Sequence, residues 1–450
     1  MKPSKPDHFQ RLQPATLFAK ETLWQSWLDV EATLAEVQSD MGMIPAEAGP
    51  AIRKAARLEI IGTEALEADL RITHAPILSL TRLLAGAAGP QGAYVHWGAT
   101  TQNVMQTGRI LLIREADAAL RLSLAGSLDR LAALAETHAD TLMAGRTNRQ
   151  HALPITFGFK VAGWIEEIGR AVDRLDCGGR RLFVLPFGGA VGAMHAFGAE
   201  GRALNERLAA ALGLGTLLVP GRAINDLFAD YIVQLSLLAM TVERIADELY
   251  LLMTQEIGEV SEALDKGTVG SSTMPHKVNP KYVVRVLADA AELRGLAVPA
   301  METGRSSHEG DSARNQLIGS VMDRAVPLAW SMAERFEALL GRIEIDAPRM
   351  AQNAALTGGA IATEGLMMLL APRAGRAEAH DLIHHALEHA APGLTAAEAL
   401  VGDADLARHL DADTITQALD PAGYCGDSRR MALDAAAFGR ELSAELRQMR

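Results

Sequence analysis

The sequence predicts an all-α protein in which three helical regions are organised around a central long-helix bundle. Three observations carry that expectation. Of 450 residues, 49% are hydrophobic and only 4% aromatic. Such a core is filled by Ala, Leu, Ile, Val and Met, and Ala, Leu and Met favour helix over a sheet rich in Tyr, Phe and Trp. Apolar residues also recur at spacings of three and four over long runs. Finally, the breakers Gly and Pro fall in clusters that leave those runs whole.

In chain order, residues 1–108 read as an N-terminal helical domain, in which Trp27, Val30, Leu34 and Val37 mark one face of a helix over 23–41 with Glu31 and Glu36 between them. A glycine cluster at 86–92 closes this region. Residues 109–355 read as the central bundle. The stretch 111–143 is helical with only Gly126 as a weak spot. Over 228–262, Ile232, Leu235, Ala239, Val242, Ala246, Leu249 and Met253 alternate by three and four. A second apolar row, Leu238, Ile245 and Leu252, lies beside them. A face this wide implies burial by several neighbours, within the chain or across subunits. Loops are expected at 185–201, 212–226, 266–281 and 298–312. Residues 356–450 form a C-terminal helical domain, with shorter helices broken at Pro372, Gly375 and Pro392.

Composition excludes several function classes. The formal net charge of −12 argues against nucleic acid as a partner, because a polyanion needs a basic face. Two cysteines, Cys177 and Cys425, make neither a disulfide framework nor a metal spacing. The N-terminus, with Lys2, Pro3, Lys5, Pro6 and Pro14, lacks the apolar stretch of a signal peptide. No apolar run approaches the ~18 residues of a membrane span. A cytoplasmic protein with no membrane contact is therefore expected.

The segment most informative about chemistry is Gly270-Ser271-Ser272-Thr273-Met274-Pro275-His276-Lys277-Val278-Asn279-Pro280. Gly270 and the serines let successive backbone N–H groups converge into an anion-binding nest. Lys277 and Asn279 add a charge and an amide donor, and Asn279-Pro280 favours a turn into the next helix. The order of residues resembles the signature of the fumarase/aspartase superfamily over all eleven positions. Two further blocks resemble that superfamily: His96 to Asn103 with Thr107, and Gly145 to Gly158. The stretches 27–32 and 42–45 look like the adenylosuccinate lyase and carboxymuconate cycloisomerase branches. The tail, Leu419 to Ala422 with Tyr424 and Gly426, looks most like the cycloisomerase branch.

The resemblance implies a tetrameric 20-helix core, a homotetramer with each active site shared between chains, and a cofactor-free reaction on a small anionic carboxylate. It assigns the base to Ser271. Lys277 and Asn279, with Ser272 and Met274 from the same loop, bind substrate. Thr100 and Thr101, followed by Gln102 and Asn103, hold a carboxylate from the first block. Thr147, Asn148 and Gln150 contribute from the second. A serine hydroxyl is a poor base near neutral pH and needs N–H donors and positive charge around the alkoxide, which such a loop supplies. General base catalysis is worth roughly 10²–10⁴-fold.

The pattern also breaks. Fumarase and adenylosuccinate lyase carry a histidine after the threonine of Gly-Arg-Thr and a glutamate five residues after the loop asparagine. Here these positions are Asn148 and Val284. The cycloisomerase branch also lacks this pair. An acid, if one is needed, must come from another histidine: His74, His96 and His151 are the candidates. In His308-Glu309-Gly310-Asp311, Gly310 stands where the family carries an arginine. The four histidines His380, His384, His385 and His389 have zinc-like i, i+4 spacing but match no complete ligand pattern, and read as a solvated helix face, so no metal is expected. Gly188-Gly189-Ala190-Val191-Gly192 lacks the dinucleotide-binding spacing, and no Gly-x-Ser-x-Gly elbow exists.

The expected activity is reversible β-elimination of a C–N or C–O bond from a succinyl-type di- or tricarboxylate, releasing fumarate or a relative. A lactonising 3-carboxy-cis,cis-muconate cycloisomerase is the alternative. A catalytically silent homologue is a third reading, which intact Ser271, Lys277 and Asn279 argue against.

Overall fold

The computed structural model describes residues 12–448. The Lys- and Pro-containing start, up to residue 11, lies outside them. Among the described residues the chain forms eighteen α-helices and six short strands, so the protein is all-α. The chain separates into two compact units. One comprises Met1–Arg121, Ala171–Met240 and Ala288–Glu334, and the other Leu122–Arg170, Thr241–Leu287 and Arg335–Arg450. The long helices Thr101–Thr137, Phe157–Leu182, Asp226–Leu252 and Ser312–Leu340 each contribute residues to both.

In the first unit the Lys20–Asp40 helix buries Trp27, Val30, Leu34 and Val37, the face expected from their spacing, and Trp24 and Leu28 beside them. It packs on the Ala48–Ala55 and Gly201–Leu212 helices. Gly49 permits the closest approach, since a Cβ there would lie 2.8 Å from the Glu36 Cα. A buried polar network joins two long helices: Tyr231 donates to Asp117 at 2.8 Å and Arg121 Nε donates to the same carboxylate at 2.6 Å.

The second unit carries the strands that position the site. Leu142–Thr147 and Gln150–Thr156 form an antiparallel hairpin, shifted in register between Gly145 and Arg146, with the Ala347–Ala355 helix packed against its first strand. Val260–Glu262 pairs antiparallel with Ile343–Ile345. The C-terminal helices close over Leu366, Leu370, Ile383, Leu400, Leu406 and Ile415.

Two helices end earlier than their periodicity predicts. The apolar run expected over 228–262 is helical only as Asp226–Leu252. Gly258 then turns the chain at φ +62°, and the Glu259 N–H closes back on the Leu252 carbonyl at 3.0 Å. Beyond Met253 the apolar alternation has ended, so burial no longer rewards another turn. Likewise the run 111–143 belongs to the Thr101–Thr137 helix, and its last residues are strand. On the Asp226–Leu252 helix, Ile232, Leu235, Leu238, Val242, Ile245 and Leu249 are fully buried, while Met240, Tyr250 and Leu251 remain exposed. Among the described residues no single helix is long and apolar enough to cross a membrane, and one bent pair, Ala347–Ala355 with Ala360–Ala374, passes that test only when taken together across an 83° bend.

Candidate active site

The second signature block is the hairpin. Thr147 pairs with Gln150, so Asn148 and Arg149 are its two-residue turn. Both have positive φ, +49° and +65°, the backbone that a type I′ turn imposes. Asn tolerates it. A residue with a long side chain does so at a cost of about 1–2 kcal/mol. Thr147, Asn148, Arg149 and Gln150 are exposed, and His151 is half-buried.

Below the turn, the Arg146 guanidinium grips Glu259 through two hydrogen bonds of 3.0 and 2.5 Å. The Glu259 side chain is fully buried, and Asn353 Nδ2 donates to it at 2.8 Å. This ion pair anchors the hairpin to the strand that leads toward the signature loop. His151 sits across the strand pair from Arg146. Burial and the Arg146 charge hold its imidazole below the usual value, against a smaller opposite pull from Glu259. It is therefore neutral near pH 7.

The signature loop lies between the Val260–Glu262 strand and the Tyr282–Gly295 helix. It folds back on itself at Gly270, whose carbonyl accepts from the Asn279 N–H at 3.3 Å. A Cβ at Gly270 would come within 2.9 Å of the Lys277 carbonyl oxygen, so a side chain does not fit. Ser271 is half-buried, and its Oγ accepts from the Met274 N–H at 3.1 Å and the Thr273 N–H at 3.4 Å. Ser272, Met274 and Lys277 are exposed, and Asn279 is half-buried. The loop's far end is pinned by Glu262. This buried carboxylate accepts from the N–H groups of Lys281, Tyr282 and Val283 at 2.7, 3.1 and 2.7 Å, capping the helix that follows.

The first block lies in the other unit. Thr100 precedes and Thr101 begins the Thr101–Thr137 helix, half-buried and exposed respectively. Gln102 and Asn103 are buried and engaged by the protein. Gln102 donates to the Arg222 carbonyl at 2.8 Å and accepts from Arg222 Nε at 2.9 Å and Asn315 Nδ2 at 3.0 Å. Asn103 donates to the Pro186 carbonyl and accepts from the Gly189 N–H, both at 3.0 Å. The glycine-rich turn at 188–192 is thus a structural partner of this block.

His96 Nδ1 meets Glu31 Oε1 at 2.6 Å, and the Glu31 side chain is fully buried. Burial alone would lower the His96 pKa, but the hydrogen bond and charge of Glu31 outweigh it, and the net shift is upward. His74 caps the Thr63–Thr73 helix and is exposed.

Among the described residues, the non-glycine positions with positive φ are His74, His96, Asn148, Arg149, Met194 and His308. All but Met194 fall in segments singled out by their chemistry. Costly backbone of this kind concentrates at functional sites. At Gly310, the space a side chain would fill is taken by Arg222, whose Cζ lies 3.3 Å from the Cβ position. The ligand atoms of His385, Glu388 and His389 lie within 4.8 Å of one another, all exposed. The acidic neighbour of this pair is one that the His-x-x-x-His spacing alone does not flag.

Glu31, Glu259 and Glu262 have no motif to announce them. Each has other acids close by in sequence, Asp29 beside Glu31 and Glu256 beside Glu259 and Glu262, so nothing local marks these three as the buried ones.

The chain is similar to known proteins over most of its length. Residues 7–294 match a family model described as Lyase, and residues 359–434 match one described as Adenylosuccinate lyase C-terminus. An adenylosuccinate lyase from Methanothermobacter thermautotrophicus is 34% identical over 420 residues, covering 92% of this chain and 94% of that protein. A 3-carboxy-cis,cis-muconate cycloisomerase from Pseudomonas aeruginosa is 34% identical over 427 residues, covering 94% and 93%. The crystal structure of a fumarate lyase from Mesorhizobium sp. BNC1 superimposes with a TM-score of 0.87 at 31% identity, over 94% of this chain and 97% of that one.

Proposed function

The chain belongs to the fumarase/aspartase superfamily of enzymes, and on that premise we propose that it catalyses cofactor-free β-elimination from a succinyl-type di- or tricarboxylate. Ser271 removes the proton from the carbon beside a carboxylate. The electron pair moves into that carboxylate as an aci-carboxylate dianion. A nitrogen or oxygen group then leaves the neighbouring carbon, giving fumarate or a relative.

The observation that carries this reading is the pair of backbone N–H groups directed at Ser271 Oγ. Donors of this kind stabilise an alkoxide, which lets a hydroxyl act as a base. Lys277 and Asn279 are assigned to one substrate carboxylate, with Ser272 and Met274 beside them. Thr100 and Thr101 are assigned to another, and Thr147, Asn148 and Gln150 to the hairpin side. The Glu31 partner supports His96 as the proton donor, because it keeps the imidazolium populated to higher pH. A neutral His151 supports a hydrogen-bonding role, and His74 is the remaining candidate acid. The assembled site is proposed to draw on several chains of a homotetramer.

A second reading, the lactonising cycloisomerase, is favoured by one feature: Asn148 and Val284 replace both members of the histidine–glutamate relay. In that reaction the nucleophile is a carboxylate of the same substrate, so no separate leaving group needs a proton.

An ultraviolet assay separates the two. One cuvette offers 3-carboxy-cis,cis-muconate and follows loss of its conjugated absorbance. The other offers fumarate with a panel of amines and follows fumarate. Ser271→Ala is expected to lower turnover of the active substrate by at least about 10²-fold. Wild-type turnover in the Ser271→Ala protein would remove Ser271 as the base.

A further inference from the structure

The hairpin turn borders a cavity of about 630 Å³ in the second unit, lined by Arg146, Arg149, His151, Lys160, Trp164 and Asn353 among others. That is the size of a small-molecule site. Its cations differ in one respect. Arg146 is committed to Glu259, Lys160 to Glu248 at 2.5 Å, and Arg244, also on the lining, to Glu167 at 2.6 Å. Arg149 makes no hydrogen bond or ion pair among the described residues.

Arg149 also sits on a backbone that suits glycine better than a long side chain. The second position of an Asn-x type I′ turn calls for glycine, and here φ is +65° on an arginine. A long cation in this place is strained, exposed and uncommitted, two residues from His151 and next to Asn148 and Gln150. A guanidinium so held presents a planar fork of donors that matches an oxyanion in bidentate fashion.

We infer that Arg149 is a specificity-determining residue that binds an oxyanion of the substrate additional to the two carboxylates of the succinyl unit, making the preferred substrate a tricarboxylate or a phosphorylated dicarboxylate. This rests on the reading that the hairpin belongs to the substrate site. Glu256 also lines the cavity and is the competing partner: a guanidinium that merely pairs with it would have no influence on ligand choice.

The test is equilibrium binding by titration calorimetry to the full-length protein, with succinate, tricarballylate and phosphonosuccinate as probes. The wild-type protein is expected to bind at least one trianionic probe about tenfold or more tighter than succinate, the scale of one charge-assisted contact. The better of the two names the oxyanion. Arg149→Gly, which suits the turn and so folds at least as well, is expected to bring that ratio to within about twofold of unity while leaving the succinate affinity unchanged. Arg149→Lys is expected to retain part of it, since charge persists without the fork. A wild-type ratio below two, no binding of any probe at millimolar concentration, or a ratio that survives Arg149→Gly would each overturn the assignment. Ser271→Ala turnover is measured beside these. Loss of turnover in Ser271→Ala with an unchanged ratio in Arg149→Gly would sink the Arg149 assignment alone. Full turnover in Ser271→Ala would sink the base underlying the proposed reaction.

Discussion

Single side chains here act through partners far away in sequence. His96 is an ordinary histidine in a His-Trp-Gly string until Glu31, 65 residues earlier, is set 2.6 Å from its ring. The raised pKa has a stability consequence with a definite sign. A group whose folded pKa lies above its unfolded value, 6.5 for histidine, adds stability that is fully present below that value. It is lost as pH rises through the folded value. Glu31→Gln is therefore expected to destabilise the protein most below about pH 6.5, with the gap narrowing at higher pH, as followed by denaturant unfolding across a pH series. NMR titration of the His96 ring should show its midpoint moving down in the same variant. An unchanged midpoint would exclude Glu31 as the cause. Ser271 is a contrasting case. From its residues alone the loop reads as an anion site, and the proposed base role of Ser271 comes from the resemblance of the whole eleven-residue segment. The N–H groups aimed at its Oγ follow from the local turn alone.

At the scale of elements, the signature segments are loops and turns held by rigid neighbours. Glu262 caps the Tyr282–Gly295 helix and so fixes where the 266–281 loop must end. Glu262→Ala removes an acceptor from three N–H groups, which is expected to cost about 2 kcal/mol of stability, the scale of lost charged hydrogen bonds. Thermal melting checks the stability. Steady-state kinetics should show a higher KM, because Lys277 and Asn279, proposed to bind a substrate carboxylate, sit on the freed segment. A variant with unaltered KM would mean that the loop's end is held by other contacts. The hairpin was the element that periodicity missed. Its residues read as part of a helical domain because Leu142, Met143 and Ala144 continue an apolar run. The turn residues Asn148-Arg149 lack the glycine that usually marks a two-residue hairpin, for the same reason that Arg149 draws attention as a functional residue.

For the whole molecule, the prediction concerns assembly. The first block belongs to one compact unit, and the hairpin and loop to the other. The homotetramer with shared sites is tested by light scattering, which should give four times the 48.0 kDa chain mass. It is tested further by mixing inactive Ser271→Ala with a His151→Ala variant under conditions that exchange subunits. Sites built from different chains should regain activity in the mixture, because some sites then receive an intact loop from one chain and an intact hairpin from another. A mixture as inactive as its parents would confine each site to one chain.

Helical class, the long apolar faces and the three signature blocks were determined by the sequence alone. They rest on local periodicity and on contiguous residues, which need no knowledge of the rest of the fold. Only the tertiary structure decided where the Asp226–Leu252 helix stops, that the second block is a hairpin, and which buried acids hold the candidate site: Glu31 on His96, Glu259 on Arg146, Glu262 on the helix after the loop. The physical reason is one of range. A carboxylate is buried only when a particular donor, 65, 113 or 19 residues away, compensates its desolvation, and no local pattern encodes that distance.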